Sequence, residues 1–307
     1  MKPFVIAVFS ACLLIEISAQ KEIIKIWPDT VPNSLQNKNY KEQEIEAWGR
    51  MGWARVSNPE IHIYKPSPSN NKHIAVILIP GGAYYRIAFE KEGIDMTKWL
   101  TQKGITAIIL KYRLPNDSIM KDKAIGPLQD AQEAVRIVRR NAAHIGIAPN
   151  KIGVMGFSAG GHLASTLCTR FDKKLYSSKD TVSARPDFAA LIYPVISMKK
   201  ELTHMGSMEN LLGIIASDSL IAAFSNELHV SRNTPPTFLV HSADDGAVNY
   251  LNSIEYFKAL NKNNVKSELH IYPTGGHGYG LAYQGQTEKN WTASFIEWLK
   301  SIENKSM

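Results

Sequence analysis

Ser158 lies in the run Gly156-Phe157-Ser158-Ala159-Gly160, with an apolar strand-like stretch at 152–155 before it and a helix-like stretch at 160–169 after it. A serine hydroxyl attacks carbonyl carbon only when it is exposed on a sharp turn, and flanking glycines remove the side chains that would crowd such a turn. A helix starting directly behind the serine aims backbone N–H groups at negative charge developing beside it. The chemistry this arrangement offers is acyl transfer through a covalent serine intermediate.

A serine hydroxyl is weak by itself, so a histidine must take its proton and a carboxylate must hold that histidine in the right tautomer. Both occur downstream in serine, acid, histidine order. The strand-like run 237–241 leads into Ala243-Asp244-Asp245-Gly246, which offers two adjacent acids. The run 267–272 leads into Pro273-Thr274-Gly275-Gly276-His277-Gly278, where a glycine-rich loop can carry an imidazole over the top of a sheet. His277 is therefore the candidate base. His162, in the helix behind Ser158, and His241 and His270, in strands, read as structural residues, whereas His62, His73, His144, His204 and His229 read as surface or local hydrogen-bonding residues.

The remaining need is a trap for the oxyanion. The Ala159 N–H is the expected first donor, and the loop Pro80-Gly81-Gly82-Ala83-Tyr84, after the apolar run 74–79, supplies a second from Gly82 or Ala83. An ordinary Gly81-Gly82 turn is the competing reading of that loop. Tyr84, Tyr85, Tyr193 and Val195 are candidates for the substrate pocket because strand-end positions can approach the acyl group, with core packing an equal explanation for Tyr193 and Val195.

Elements that could position these residues alternate. Strand-like runs at 61–64, 74–79, 105–110, 152–155, 188–193, 237–241 and 267–272 are interleaved with helical periodicity at 92–102, 129–145, 160–169, 251–261 and 290–302. Such alternation predicts an α/β chain with a mostly parallel central sheet, helices on both faces and ligands beyond the carboxyl ends of the strands. In the second helix Ala131, Ala134, Val135 and Val138 share a face, with Asp130, Glu133, Arg136 and Arg140 mainly outside it. Residues 20–60 are weakly patterned; Trp27, Trp48 and Trp53 either brace this extension or line a carbohydrate-facing groove. Segment 197–233 breaks the alternation and reads equally as a small cap or as a helix crossing a sheet face.

The motifs around Ser158, the Pro80–Tyr84 loop, His241-Ser242-Ala243-Asp244-Asp245 and Gly276-His277-Gly278 together resemble bacterial secreted α/β-hydrolase esterases of the acetyl xylan esterase and feruloyl esterase-like group. The similarity runs from Ile26-Trp27-Pro28 to the last helix. It implies the α/β-hydrolase fold, a triad of Ser158, Asp244 and His277, and action on small acyl groups attached to plant polysaccharide or related sugars, with no metal or organic cofactor. Assigned to the first acid by that resemblance, the triad leaves Asp245 to brace the turn at Gly246. One departure is Ala83, where many related enzymes have a third glycine after a histidine; it narrows the backbone geometry open to the loop. Prolyl-peptidase relatives share the Asp-Asp and Gly-His patterns but need a propeller domain for which this chain has no room. A feruloyl or other small-acyl esterase and a catalytically inactive carbohydrate-binding or surface protein are the alternatives. A metal-dependent deacetylase is disfavoured by the lack of a His-Glu-x-x-His run or another compact ligand cluster.

Composition bounds the rest. Met1-Lys2, an apolar run at 4–15 and the small residues Ser18 and Ala19 predict a signal peptide over 1–19 and a secreted or periplasmic protein, with 20–307 as a single catalytic domain. The apolar run is too short for a permanent membrane span. Formal net charge is +7, yet the basic residues are scattered, with doublets only at Arg139-Arg140 and Lys199-Lys200, so nucleic acid is not an expected partner. An acylated carbohydrate or small ester is the expected one, and oligomeric state is left open. Cys12 falls in the signal, which leaves Cys168 alone and rules out an internal disulfide in the mature chain.

Overall fold

The computed structural model describes residues 21–47, 49–178, 180–281 and 290–303. The signal peptide read at 1–19 and Trp48 lie outside them. Eleven strands and eight α-helices form among these residues in the order β1 (Lys21–Lys25), β2 (Gln43–Ala47), β3 (Arg50–Ala54), β4 (Glu60–Tyr64), β5 (Ile74–Ile79), β6 (Arg86–Ile87), α1 (Asp95–Gln102), β7 (Ile105–Lys111), α2 (Gly126–Arg140), α3 (Ala142–Ile145), β8 (Ile152–Phe157), α4 (Ala159–Arg170), β9 (Phe188–Ile192), α5 (Met205–Leu212), α6 (Asp218–Ala223), β10 (Thr237–Ser242), α7 (Leu251–Lys262), β11 (Ser267–Tyr272) and α8 (Trp291–Glu303).

Eight strands make the central sheet in the order β1-β4-β7-β5-β8-β9-β10-β11. β1 and β4 run antiparallel to their neighbours, and every pair from β7 to β11 is parallel. Strand periodicity explains why both faces are covered. Ile74, Val76 and Leu78 of β5 join Met96 and Leu100 of α1 and Trp291 and Phe295 of α8, while Ala75, Ile77 and Ile79 join Val135 of α2 and Leu163 and Leu167 of α4. The crossover from β5 to β7 uses α1 on one face, and the return from β7 to β8 uses α2 on the other. β5 and β8 are thus adjacent strands whose following segments leave toward opposite faces, which opens a crevice above their carboxyl ends.

The seven strand-like runs and five helical runs read from sequence correspond to β4, β5, β7 to β11, α1, α2 with α3, α4, α7 and α8. Asp130 departs from the expected polar face of α2. It is fully buried because Arg113 donates to both its oxygens and Trp27 Nε1–H donates to Oδ1 at 2.7 Å. Trp27, edge-on to Tyr176 at 4.8 Å, therefore braces the amino-terminal segment. Trp53 lies against the Lys111 ammonium, 4.0 Å from its ring centroid, in the small antiparallel sheet β2-β3-β6.

Candidate active site

β8 ends at Phe157, and the next residue, Ser158, turns into α4 with φ +52° and ψ −121°, a strained backbone for a residue with a β-carbon. Three backbone bonds pin this turn: Ser158 N–H donates to Ile192 at 3.1 Å, and Ser158 C=O accepts from His162 and Val195 at 3.2 and 3.0 Å. Gly160 must be glycine, since a β-carbon there would stand 2.1 Å from the Ile79 carbonyl oxygen at the end of β5. That close approach brings the nucleophile turn beside the loop after β5.

The Ser158 hydroxyl donates to His277 Nε2 at 2.9 Å, and His277 Nδ1–H donates to Asp245 Oδ2 at 2.7 Å. Asp245 Oδ1 accepts from the backbone N–H of Ala247 and Val248 at 2.9 and 2.8 Å. His241 lies beneath: Nε2 is 3.0 Å from Val248 O, which can only accept, so Nε2 carries the proton and also faces Asp245 Oδ2 at 3.2 Å. Burial alone would raise the Asp245 carboxyl, whose side chain is wholly enclosed, but the bonds from His241, His277 and Val248 outweigh it and hold the group well below the usual carboxylate range.

This geometry corrects the expectation for Asp244. Its exposed carboxylate points outward and accepts from Gly276 N–H at 2.8 Å and Gly275 N–H at 3.3 Å, so it steadies the histidine loop by its backbone and makes no contact with the imidazole. The turn after β10 sends the second acid inward, and the turn-bracing role expected of Asp245 is carried by the oxygen of the same carboxylate that does not face His277.

Across Ser158, the loop 81–84 turns through φ +125° at Gly82, +56° at Ala83 and +58° at Tyr84. Ala83 accepts the left-handed conformation despite its β-carbon, so the loop keeps its turn without the third glycine. Among the described residues, no group accepts a hydrogen bond from the N–H of Gly82, Ala83 or Ala159. Gly82 and Ala83 line the cleft with Ser158, and Ala159 is the first residue of α4.

Of the four pocket candidates, only Tyr85 faces the cleft, 68 % exposed at its rim. Tyr84 is buried and its hydroxyl donates to His162 Nδ1 at 2.8 Å, because the left-handed turn rotates it under the loop. Tyr193 is buried edge-on to His277, with ring centroids 5.0 Å apart, and its hydroxyl donates to Glu92 Oε1 at 2.9 Å. Val195 packs in the core. These three are not pocket walls.

Sequence reading passed over the residues that form the walls. Ala47, Arg50 and Met51 of the β2–β3 hairpin and His204 before α5 line a cleft of about 580 Å³. Glu92, though buried, also lines the cleft and accepts from Gly81 N–H at 2.7 Å as well as from Tyr193; burial raises its carboxyl against the pull of both bonds. Asn210 Nδ2–H donates to Ala83 O at 2.8 Å, tying α5 to the loop 81–84, so part of the segment 197–233 borders the cleft. For His204 the sequence cue was the break in the alternating pattern at 197–233.

A sheet of this order with a serine turn after β8, an acid after β10 and a histidine after β11 defines an α/β-hydrolase. Residues 61–260 match the family BD-FAE, and the chain belongs to that family. It is 35% identical over 239 residues to the acetylxylan esterase of Xylanibacter ruminicola, covering 76% of this chain and 47% of that protein. It is 33% identical over 214 residues to endo-1,4-beta-xylanase B of Butyrivibrio fibrisolvens, covering 69% of this chain and 33% of that protein. The chain thus spans half or less of the length of these curated relatives. The acetyl ester-xyloside bifunctional hydrolase of Caldicellulosiruptor lactoaceticus superposes with a TM-score of 0.78 at 36% identity, over 94% of this chain and 98% of that one.

Proposed function

We propose that this chain is a serine esterase that removes acetyl groups from xylan or related carbohydrates through an acetyl-enzyme. The observation that carries the reading is the unbroken hydrogen-bonded series Ser158–His277–Asp245 opening on a cleft where the N–H groups of Gly82, Ala83 and Ala159 are unspent. His277 takes the Ser158 proton as Oγ attacks the ester carbonyl, and Asp245 holds the ring and stabilises the imidazolium. The N–H groups receive the oxyanion, a charge present in the tetrahedral state and absent from the planar ester. Collapse of that state releases the sugar hydroxyl, protonated by His277; water activated by the same imidazole then frees acetate. The carbohydrate and the acetyl group are supported by the family and by the names of its acetylxylan esterase and acetyl ester-xyloside hydrolase relatives.

The same reading makes residues 1–19 an export signal and 20–307 one catalytic domain. Among the described residues, no helix is long and apolar enough to cross a membrane. Exported protein should begin near Gln20 by amino-terminal sequencing. Acetylated xylan oligosaccharides should release acetate with the purified protein, and a fluorophosphonate should modify Ser158. A preference for feruloyl over acetyl esters on one leaving group would replace the acyl assignment, and failure of both labelling and acetate release would end the esterase reading.

A further inference from the structure

His204 is the one cleft-lining residue contributed by the segment between β9 and β10, and its ring is held in a single tautomer by the helix it precedes. It occupies the N-cap of α5, where its Nδ1 accepts from the backbone N–H of Ser207 at 3.2 Å and faces the Ser207 hydroxyl at 2.9 Å. A backbone N–H can only donate, so Nδ1 must be the bare nitrogen and the proton must sit on Nε2. Among the described residues nothing pairs with that Nε2–H. Ser207 is fully buried, which fixes the anchored edge, while His204 itself is half-buried and lines the same cleft as Ser158 and His277. Burial first, then the neighbouring His277, lowers its basicity, and Asp245 opposes them; the ring therefore stays neutral, with one donor, where the catalytic imidazole works.

Position decides what that donor meets. In acyl transfer the imidazole that protonates the leaving oxygen must lie beside the alcohol half of the ester, whereas the oxyanion donors mark the carbonyl oxygen. α5 borders the cleft at both its ends. Asn210, toward its carboxyl end, holds Ala83, and His204, at its amino end, lines the same cleft as His277 and Gly278 of the histidine loop. The leaving group there is a polyhydroxylated sugar, rich in oxygen acceptors, if the deacetylase reading above is right; this inference rests on it.

We propose that His204 is a specificity-determining residue whose Nε2–H donates to a hydroxyl, ring or glycosidic oxygen of the sugar that carries the acetyl group. An aryl leaving group such as 4-nitrophenol presents no such oxygen in that place, yet both esters form the same acetyl-enzyme. Their intrinsic leaving-group reactivities differ but are the same for every variant, so any change a substitution makes in the ratio of the two kcat/KM values must arise before deacylation, while the alcohol half is still bound.

The test uses His204→Asn, since asparagine is a good N-cap and its Oδ1 can accept the Ser207 N–H, but its side chain is too short to place a donor where Nε2 stands. The ratio of kcat/KM on a monoacetylated methyl β-xyloside to that on 4-nitrophenyl acetate should fall about tenfold, mainly through KM for the sugar ester, as expected for one lost hydrogen bond. Thermal unfolding should stay near the parent for Asn and drop for His204→Ala, which loses cap and donor together. An unchanged ratio in a folded Asn variant, with the parent active on the sugar ester, would overturn the role of His204 alone. If the parent cleaves 4-nitrophenyl acetate but no sugar acetate, the deacetylase reading falls and takes this inference with it.

Discussion

The two loops that meet over Ser158 are built on different principles. On the acid and histidine side, the site consists of side-chain atoms: Asp245 Oδ2, His277 Nδ1 and His277 Nε2 lie in series, with His241 and two backbone N–H groups fixing the carboxylate from below. Opposite, the site is backbone in left-handed conformations, held by side chains of neighbouring elements: Glu92, at the cleft wall, on Gly81, His162 under Tyr84 and Asn210 on Ala83. Side-chain chemistry should respond to substitution steeply and locally. Backbone chemistry should respond to its supports, more gently, and partly through stability.

The steepest responses belong to the side-chain half. Ser158→Ala should fold and lose at least ~10³-fold in turnover, since it removes the hydroxyl that is hydrogen-bonded to His277 and forms the acyl-enzyme. Asp245→Asn should cost ~10² to ~10⁴-fold in kcat, because an amide can leave His277 in the wrong tautomer and cannot balance the imidazolium. Steady-state kinetics on one acetyl ester, with folding checked by circular dichroism, tests both; a nearly active Asp245→Asn would mean that the side-chain half is not organised as described.

His162 offers a response on the backbone half that is read as stability. Its Nε2–H donates to Phe224 O at 2.8 Å and its Nδ1 accepts from Tyr84, so the buried ring must be neutral; burial, and then the charge of Arg170, lower its pKa to about 4 against the opposing bond to Phe224. Unfolded, the imidazole titrates near 6.5, so the unfolded chain binds the extra proton first as pH falls. The stability held by the neutral ring is whole above about pH 6.5 and is lost progressively down to about pH 4, on the order of 2 kcal/mol by pH 5 from this one group. Urea unfolding at pH 7.5, 6 and 5 should show that slope in the parent and a slope shallower by about one proton in His162→Gln. Parallel slopes would show that the support beneath Tyr84 does not discriminate between protonation states.

Glu92 should give a smaller, kinetic response. A carboxylate accepts from Gly81 N–H and from Tyr193 OH at once, whereas in Glu92→Gln the amide NH₂ must face one of them, loosening either the oxyanion loop or the tyrosine edge-on to His277. Turnover should drop about tenfold with little change in KM, the size of one misplaced transition-state contact that is partly recovered by relaxation. A loss confined to KM would place Glu92 in substrate binding.

How much of this the sequence displayed follows the same division. The parallel body was legible because its inner strands are buried apolar runs bounded by turn residues, and Ser158 and His277 because their glycines mark the turns that carry them. Asp244 and Asp245 are equivalent in one-letter code, and which one faces inward depends on the torsion of the turn after β10. Tyr84 and Tyr193 look like pocket residues at strand ends, yet left-handed backbone at φ +58° and +38° turns both into the interior. The cleft walls from β2–β3 and the start of α5 were not legible, because short, partly exposed elements lack the periodicity that burial imposes on long ones.

Asp244 sets the lower limit of the comparison, being a side chain that serves a backbone. Its carboxylate reaches the loop of His277 only through Gly275 N–H and Gly276 N–H, 3.3 and 2.8 Å away, and it is exposed, so water can replace it when it is changed. Asparagine keeps one acceptor oxygen of the same reach and loses only the assistance of the charge. Asp244→Asn should therefore cost a few-fold at most in kcat/KM and lower the unfolding temperature slightly, consistent with one weakened, solvent-accessible hydrogen bond of about 1 kcal/mol. The neighbouring variant, Asp245→Asn, differs by one position and should differ by two or more orders of magnitude in kcat. Measured side by side on the same ester, the pair isolates orientation from proximity: both acids stand within reach of the histidine loop, and only the one that meets the imidazole should govern turnover. Equal losses at the two positions would mean that the loop, once loosened at Gly275 and Gly276, no longer delivers His277 to Ser158, and that the backbone governs this half of the site as well.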